Sequence, residues 1–201
     1  EQEANSVVAL ADGSLLATIP LETGREFAEA MAGENTGAVY AWSSGTGNWE
    51  RLGKSAVPYA NGIEVSEDES EVYVASSGLA KVSAYRNTRP LQPLWSTQTL
   101  PVAPDNLHRD AQGKLITAGL YLEYAACNPY DEAGNFDLAL FGTCARPYAV
   151  IAVDPESGEP SVLAEGGANP DFSNITMGVV VDDMLWIGTF GADRVAYRPL
   201  E

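Results

Sequence analysis

The sequence of 201 residues predicts an all-β protein, a β-propeller of four-stranded antiparallel blades with four blades present, on three observations. A loop–strand–turn–strand phrase recurs at Asn5, Asn61, Pro104 and Thr176. Two further short strand patterns follow each of the first three copies, and one follows the last. Helical periodicity is nearly absent. Meanders of this kind, repeating at roughly 45 to 60 residues, are the pattern of propeller blades. An ordinary β-sandwich, which also has short strands and regular turns, is the alternative.

The first unit places strands at Ser6–Leu10 and Ser14–Thr18 around an Asp12-Gly13 turn, then at Val39–Trp42 and Trp49–Leu52 around turn chemistry at Gly45–Asn48. Between the two pairs, Glu22–Ala32 is rich in helix formers and reads as a short helix or an ordered loop. The second unit has strands at Ile63–Ser66, Val72–Ser76, Lys81–Arg86 and Leu94–Leu100, with the proline-rich Arg89–Pro93 as its last turn. In the third unit, Leu107–Arg109 and Leu115–Ala118 precede an insertion from about Leu120 to Arg146; Tyr148–Asp154 and Ser161–Ala164 complete the meander. The fourth unit has Gly178–Val181, Leu185–Gly188 and Arg194–Tyr197, one strand short. Propellers often close by completing the last blade with a strand from the other terminus, and no spare strand precedes Ser6. The expectation is therefore a single domain over residues 1–201 that forms the C-terminal part of a larger, N-terminally incomplete propeller; a complete four-bladed ring is the alternative.

A formal net charge of −17 repels nucleic acid and anionic lipid and suits cations. No apolar run is long enough to cross a bilayer. Cys127 and Cys144 lie in the same polar insertion, outside any Cys-x-x-Cys pair and away from His108, the single histidine, which argues against zinc. A loop-stapling disulfide in a periplasmic or secreted protein is the favoured reading; two free thiols are the alternative. Asn174-Ile175-Thr176 matches a glycosylation acceptor triplet, a pattern common by chance.

In a propeller the first strand of each blade runs along the central channel, so the residues leading into it gather near the axis on one face. Asn5, Asn61, Asp105 and Asn106 hold that position. Amide and carboxylate oxygens converging there are the donors that calcium takes. Each residue also has a plain structural reading: Asn61-Gly62 is a turn dipeptide, Asp105-Asn106 can cap a loop, and Asn5 is near a terminus. Their recurrence at one place in successive units is what favours the ion. Only Asp105 among them is charged. His108 alternates onto the side of Asn106 and Asp110, so it is a candidate general base; packing between blades is the competing role.

The phrases Ala60-Asn-Gly-Ile-Glu-Val-Ser66 with Glu71-Val-Tyr-Val-Ala75, and Pro104-Asp-Asn-Leu107 with Gly113-Lys-Leu115, resemble the calcium-dependent six-bladed propeller superfamily. That superfamily includes paraoxonase and arylesterase, SMP-30/gluconolactonase and strictosidine synthase-like proteins. Asp105 followed by Asn106 is most similar to the paraoxonase and strictosidine synthase-like branch. The resemblance implies that the chain is the last four of six blades, and that a calcium ion in the channel serves hydrolysis of a lactone or ester. It also implies a glutamate ligand from a first blade that is not matched here, with Glu1 or Glu3 as possible substitutes. The histidine pair of the paraoxonases is not matched either. In the gluconolactonase branch the aspartate at the Asp105 motif is both ligand and proposed base. A propeller that binds a small ligand or protein partner without catalysis is the competing function, since a fold does not fix an activity.

Overall fold

In the computed structural model, residues 2–200 are described, and they build four antiparallel sheets set side by side as propeller blades. The first blade is β1 (Ser6–Ala9), β2 (Leu15–Ile19), β3 (Ala38–Trp42) and β4 (Trp49–Arg51), paired in that order. The second is β5 (Ala60–Val65), β6 (Glu71–Ser76), β7 (Lys81–Arg86) and β8 (Gln92–Ser96). The third is β9 (Ala103–Arg109), β10 (Leu115–Leu120), β11 (Tyr148–Val153) and β12 (Pro160–Gly166). The fourth has β13 (Ile175–Val181), β14 (Met184–Thr189) and β15 (Ala196–Pro199), so the all-β propeller prediction, including the strand missing from the last blade, holds.

The inner hairpins of the first three blades share one turn device. Asp12 accepts from the backbone N–H of Ser14, Asp68 from that of Ser70, and Asp110 from those of Gln112 and Lys114. The short carboxylate closes the turn, and Gly13 and Gly113 take the left-handed conformation that follows it, with φ of 81° and 83°. Beyond the turns, the middle strands of blades two and three are buried on both faces, and their apolar residues pack onto the neighbouring blades. Leu16 and Val39 meet Ile63, Val74 and Leu91 between blades one and two. Tyr73 and Val82 meet Leu107, Leu115 and Ile151 between two and three, and Ile116 and Val150 meet Ile175, Leu185 and Ile187 between three and four. The inner strands follow suit: β1 packs on β5, β5 on β9 and β9 on β13, and among the described residues β13 has no comparable packing on β1. The face of the fourth blade turned away from the third leaves Trp186 and Tyr197 exposed, their rings stacked 5.0 Å apart.

Three boundaries differ from the sequence reading in ways that matter. β5 and β9 begin earlier than expected, so Asn61, Asp105 and Asn106 lie inside the inner strands rather than in the loops before them. The cause is a register shift in each pair, between Ala60 and Ile63 against β6 and between Pro104 and Leu107 against β10. Such bulges re-aim side chains without ending the strand. Pro93, read as part of a turn, is in β8, an outer strand where a missing N–H costs no ladder bond. The segment Glu22–Ala32 contains a short helix, α1 (Phe27–Met31), with the Glu29 carboxylate accepting from the N–H of Glu26.

The insertion is ordered around itself. It carries a 3₁₀ turn (Ala125–Cys127) and a helix, α2 (Leu138–Thr143), capped by Asp137, whose carboxylate accepts from the N–H of Leu140. Cys127 and Cys144 form a disulfide with their Cα atoms 5.8 Å apart, inside the usual span. Arg146, 1% exposed, donates to the carbonyls of Tyr121, Leu122 and Cys127 and places its guanidinium 4.9 Å from the centre of the Phe141 ring. One buried cation thus gathers both ends of the insertion onto its helix.

Candidate active site

The first strands of blades two and three come unusually close at their channel ends. A Cβ on Gly62 would lie 2.5 Å from the carbonyl oxygen of Asp105, so only glycine lets β5 sit against β9 there. The approach places Asn61 and Asp105 in the wall of one chamber of about 310 Å³. Asn61 is fully buried. Its Nδ2 donates to Ser77 Oγ at 3.0 Å, and that hydroxyl donates to the carbonyl of Pro104 at 2.8 Å. Thr18 donates to the backbone carbonyl of Asn61. The side chain is therefore fixed with its amide oxygen, Oδ1, buried and without a hydrogen-bond partner. Leaving such an oxygen unsatisfied costs on the order of 1–3 kcal/mol, which makes it a marker for a missing donor or cation.

Asp105 opens onto the same chamber. Burial pushes its carboxyl up to about 7, and the neighbouring Asn61 amide opposes only part of that. A second consequence falls on Tyr59, also in the chamber wall, whose phenol is pushed up by burial and then by the Asp105 charge. The rest of the wall is apolar: Phe27, Met31, Leu120, Leu138, Phe141 and Phe190. A polar floor under an apolar vault is the general form of a small-molecule site.

The other sequence candidates lie elsewhere. Asn106 is on β9 but donates its side-chain amide to the carbonyl of Thr176 at 3.3 Å, tying blade three to blade four. Asn5 is exposed, outside the chamber, its N–H paired with the carbonyl of Thr18. His108 does not line the chamber; burial holds its imidazole below the usual range against the pull of Glu64, and its Nε2 is buried without a partner. Glu1 lies outside the described residues, and Glu3 is exposed.

One residue escaped the sequence reading. Asn174 precedes β13 as Asn5 precedes β1, yet it is 1% exposed, in the left-handed conformation at φ 55°. Its Nδ2 donates to the carbonyl of Gly142 in α2 at 2.7 Å, and its Oδ1 is buried without a partner. Burial also excludes Asn174 as a glycan acceptor in the folded chain. The signal was its place at the head of the fourth repeat.

Among the described residues no three of His, Cys, Asp and Glu stand close enough to hold a metal by themselves. The amide oxygens of Asn61 and Asn174, orphaned and buried, and the Asp105 carboxylate are nonetheless hard oxygen donors of the type calcium takes. Of these, Asn61 and Asp105 share the chamber wall and fit such an ion in donor type, with one charge between them; Asn174 is not among the residues that line it.

No protein-family sequence profile matches the chain, and no curated protein matches it. Solved structures do. A gluconolactonase from Xanthomonas campestris aligns over 98% of this chain and 57% of its own, at 17% identity and a TM-score of 0.58. A calcium-binding regucalcin from Agrobacterium tumefaciens strain C58 aligns over 92% and 52%, at 16% identity and a TM-score of 0.54. A streptogramin B lyase aligns over 96% and 50%, at 14% identity and a TM-score of 0.58. The fold is thus that of the gluconolactonase- and regucalcin-type β-propellers, and the chain spans about half the length of these structures. Neighbours with such different activities fix the architecture, not the reaction.

Proposed function

We propose that this chain is part of a calcium-dependent hydrolase of lactones or esters. The observation that carries the reading is the pairing, in one chamber wall, of the Asp105 carboxylate with Asn61, whose amide oxygen is buried and unpartnered. Asn61 and Asp105 would hold the ion. Bound calcium supplies polarisation of a carbonyl oxygen and charge stabilisation for the oxyanion that develops on it. The chain's own residues supply the setting. Ser77 fixes the rotamer of Asn61, the wall around it is mainly apolar, and Asp105 can share the base role. His108 is a weaker base candidate, since it lies outside the chamber. The disulfide supports work in an oxidising compartment, periplasmic or extracellular.

The presence of a single carboxylate favours a second reading, a propeller that binds a small ligand without turning it over. Calorimetric titration with calcium, followed by hydrolysis assays on phenyl acetate and a simple δ-lactone with and without chelator, separates the two. Loss of calcium affinity and turnover in Asp105→Ala supports the hydrolase. Turnover indifferent to both chelation and Asp105→Ala refutes it. Tight ligand binding with no turnover leaves the binding module.

A further inference from the structure

Tyr59 stands in the chamber wall two residues before Asn61, in the left-handed conformation at φ 51°. A bulky side chain rarely adopts that backbone, and it persists only where the surroundings over-determine it. Here both ends of the residue are held. The Tyr59 N–H donates to Thr36 Oγ1 at 3.1 Å, and the hydroxyl of Thr36, a fully buried residue, donates in turn to the carbonyl of Pro20 at 3.1 Å. The Tyr59 carbonyl accepts from the N–H of Ser77 at 3.2 Å. The ring meets Phe27 of α1 edge-on, with centroids 4.9 Å apart. Blade one thus grips the backbone and the ring, and blade two closes on the carbonyl.

This grip does not account for the phenol. Phenylalanine would make the same ring contact, whereas a tyrosine hydroxyl in a folded interior usually finds a partner. Among the described residues no group bonds to the Tyr59 hydroxyl, and its oxygen is not one of the buried atoms closed off from solvent. The other polar side chains of the wall are committed or can only accept. Asn61 Oδ1 and the Asp105 carboxylate are acceptors, the Asn61 amide nitrogen donates to Ser77, and the Ser77 hydroxyl donates to the carbonyl of Pro104. Among the described residues of the wall, Tyr59 therefore carries the one hydroxyl still free to donate.

We propose that the Tyr59 hydroxyl donates a hydrogen bond to the carbonyl oxygen of the bound ester or lactone. The bond tightens as that oxygen gains negative charge on addition of water to the acyl carbon, and the proton stays on the phenol throughout. Because the strained backbone fixes the donor before the ligand arrives, no reorganisation is needed at the reacting step. The chemistry rests on the hydrolase reading; the bond itself needs only a carbonyl ligand in the chamber.

The test compares the chain, with calcium in the buffer, with Tyr59→Phe, which keeps the ring and its contact with Phe27. In the first arm, δ-valerolactam with an isotope-labelled carbonyl is titrated by calorimetry, and its carbonyl stretch is read by infrared difference spectroscopy. Binding to the wild type should lower the stretching frequency, and Tyr59→Phe should return part of that shift. In the second arm, hydrolysis of δ-valerolactone and phenyl acetate is followed. In Tyr59→Phe kcat should fall by about 10²-fold with KM changed far less, at an unaltered thermal midpoint. A frequency shift reduced in Tyr59→Phe, without hydrolysis by either protein, sustains the donor and sinks the hydrolase. Hydrolysis by the wild type, with kcat and carbonyl frequency unmoved in Tyr59→Phe, sinks the donor and leaves the hydrolase. A lactam that the wild-type chain does not bind overturns the proposal outright.

Discussion

The side-chain amide of Asn174 donates a 2.7 Å hydrogen bond to the backbone carbonyl of Gly142. It joins the head of the fourth blade's inner strand to the helix inserted in the third, so the chamber is roofed by one blade and latched by the next. Replacing Asn174 by Gly keeps the left-handed backbone at no steric cost and removes only the amide. The expected loss is about 1–2 kcal/mol in a urea titration. Faster hydrogen exchange in residues 137–144 should accompany it; unchanged exchange there would show that the latch holds nothing.

Arg146 should matter more. It bonds three carbonyls and lies over Phe141, with burial depressing its basicity and, among the described residues, no carboxylate bonded to it. Arg146→Ala leaves those carbonyls unpaired, and about 2–4 kcal/mol should be lost. Arg146→Lys should recover little, because a single ammonium cannot fork to three acceptors and stack on a ring as well. Equal stability of Lys and wild type would refute the forked role.

Reduction of Cys127–Cys144, or Cys127→Ser with Cys144→Ser, releases a 17-residue loop. The chain-entropy account gives a loss of about 3 kcal/mol. Because the loop carries the roof, weakened binding of apolar probes should accompany the fall in thermal midpoint. Two alkylatable thiols in protein from an oxidising compartment would contradict the pairing.

Asp105 gives a pH dependence of definite sign. Its folded value, about 7, is above the ordinary 3.8, so the folded chain keeps a proton that the unfolded chain has released. The favourable contribution is complete below the unfolded value and is lost as the pH rises from about 4 to about 7, up to about 4 kcal/mol in all. In chelator, stability should fall across that window and level off above it. Asp105→Asn should flatten the curve and be the more stable protein at pH 8. A wild-type curve rising through the same window would overturn this assignment.

Much of the architecture was readable in order along the chain. Polar turns between short strand patterns and a repeated phrase at blade length are local signals, and a propeller's blades are local meanders, so the pattern survives without knowledge of long-range contacts. The same regularity pointed to Asn61 and Asp105. What tertiary structure decided was which repeated positions face inward together. Bulges in β5 and β9 turned Asn61 and Asp105 into the chamber and left Asn106 bonded to Thr176. Asn174, which the sequence marked only as part of a glycosylation-type triplet, is buried and bonded to the insertion's helix. The insertion lacks periodicity, so its roof could not be seen in advance. It is held by Arg146, by the disulfide and by a cluster of rings in which Phe27 meets Phe136 and Phe141 from far along the chain. Repetition is written in the sequence because each blade solves the same local problem. The site is set by contacts between blades, which exist only once the blades have packed.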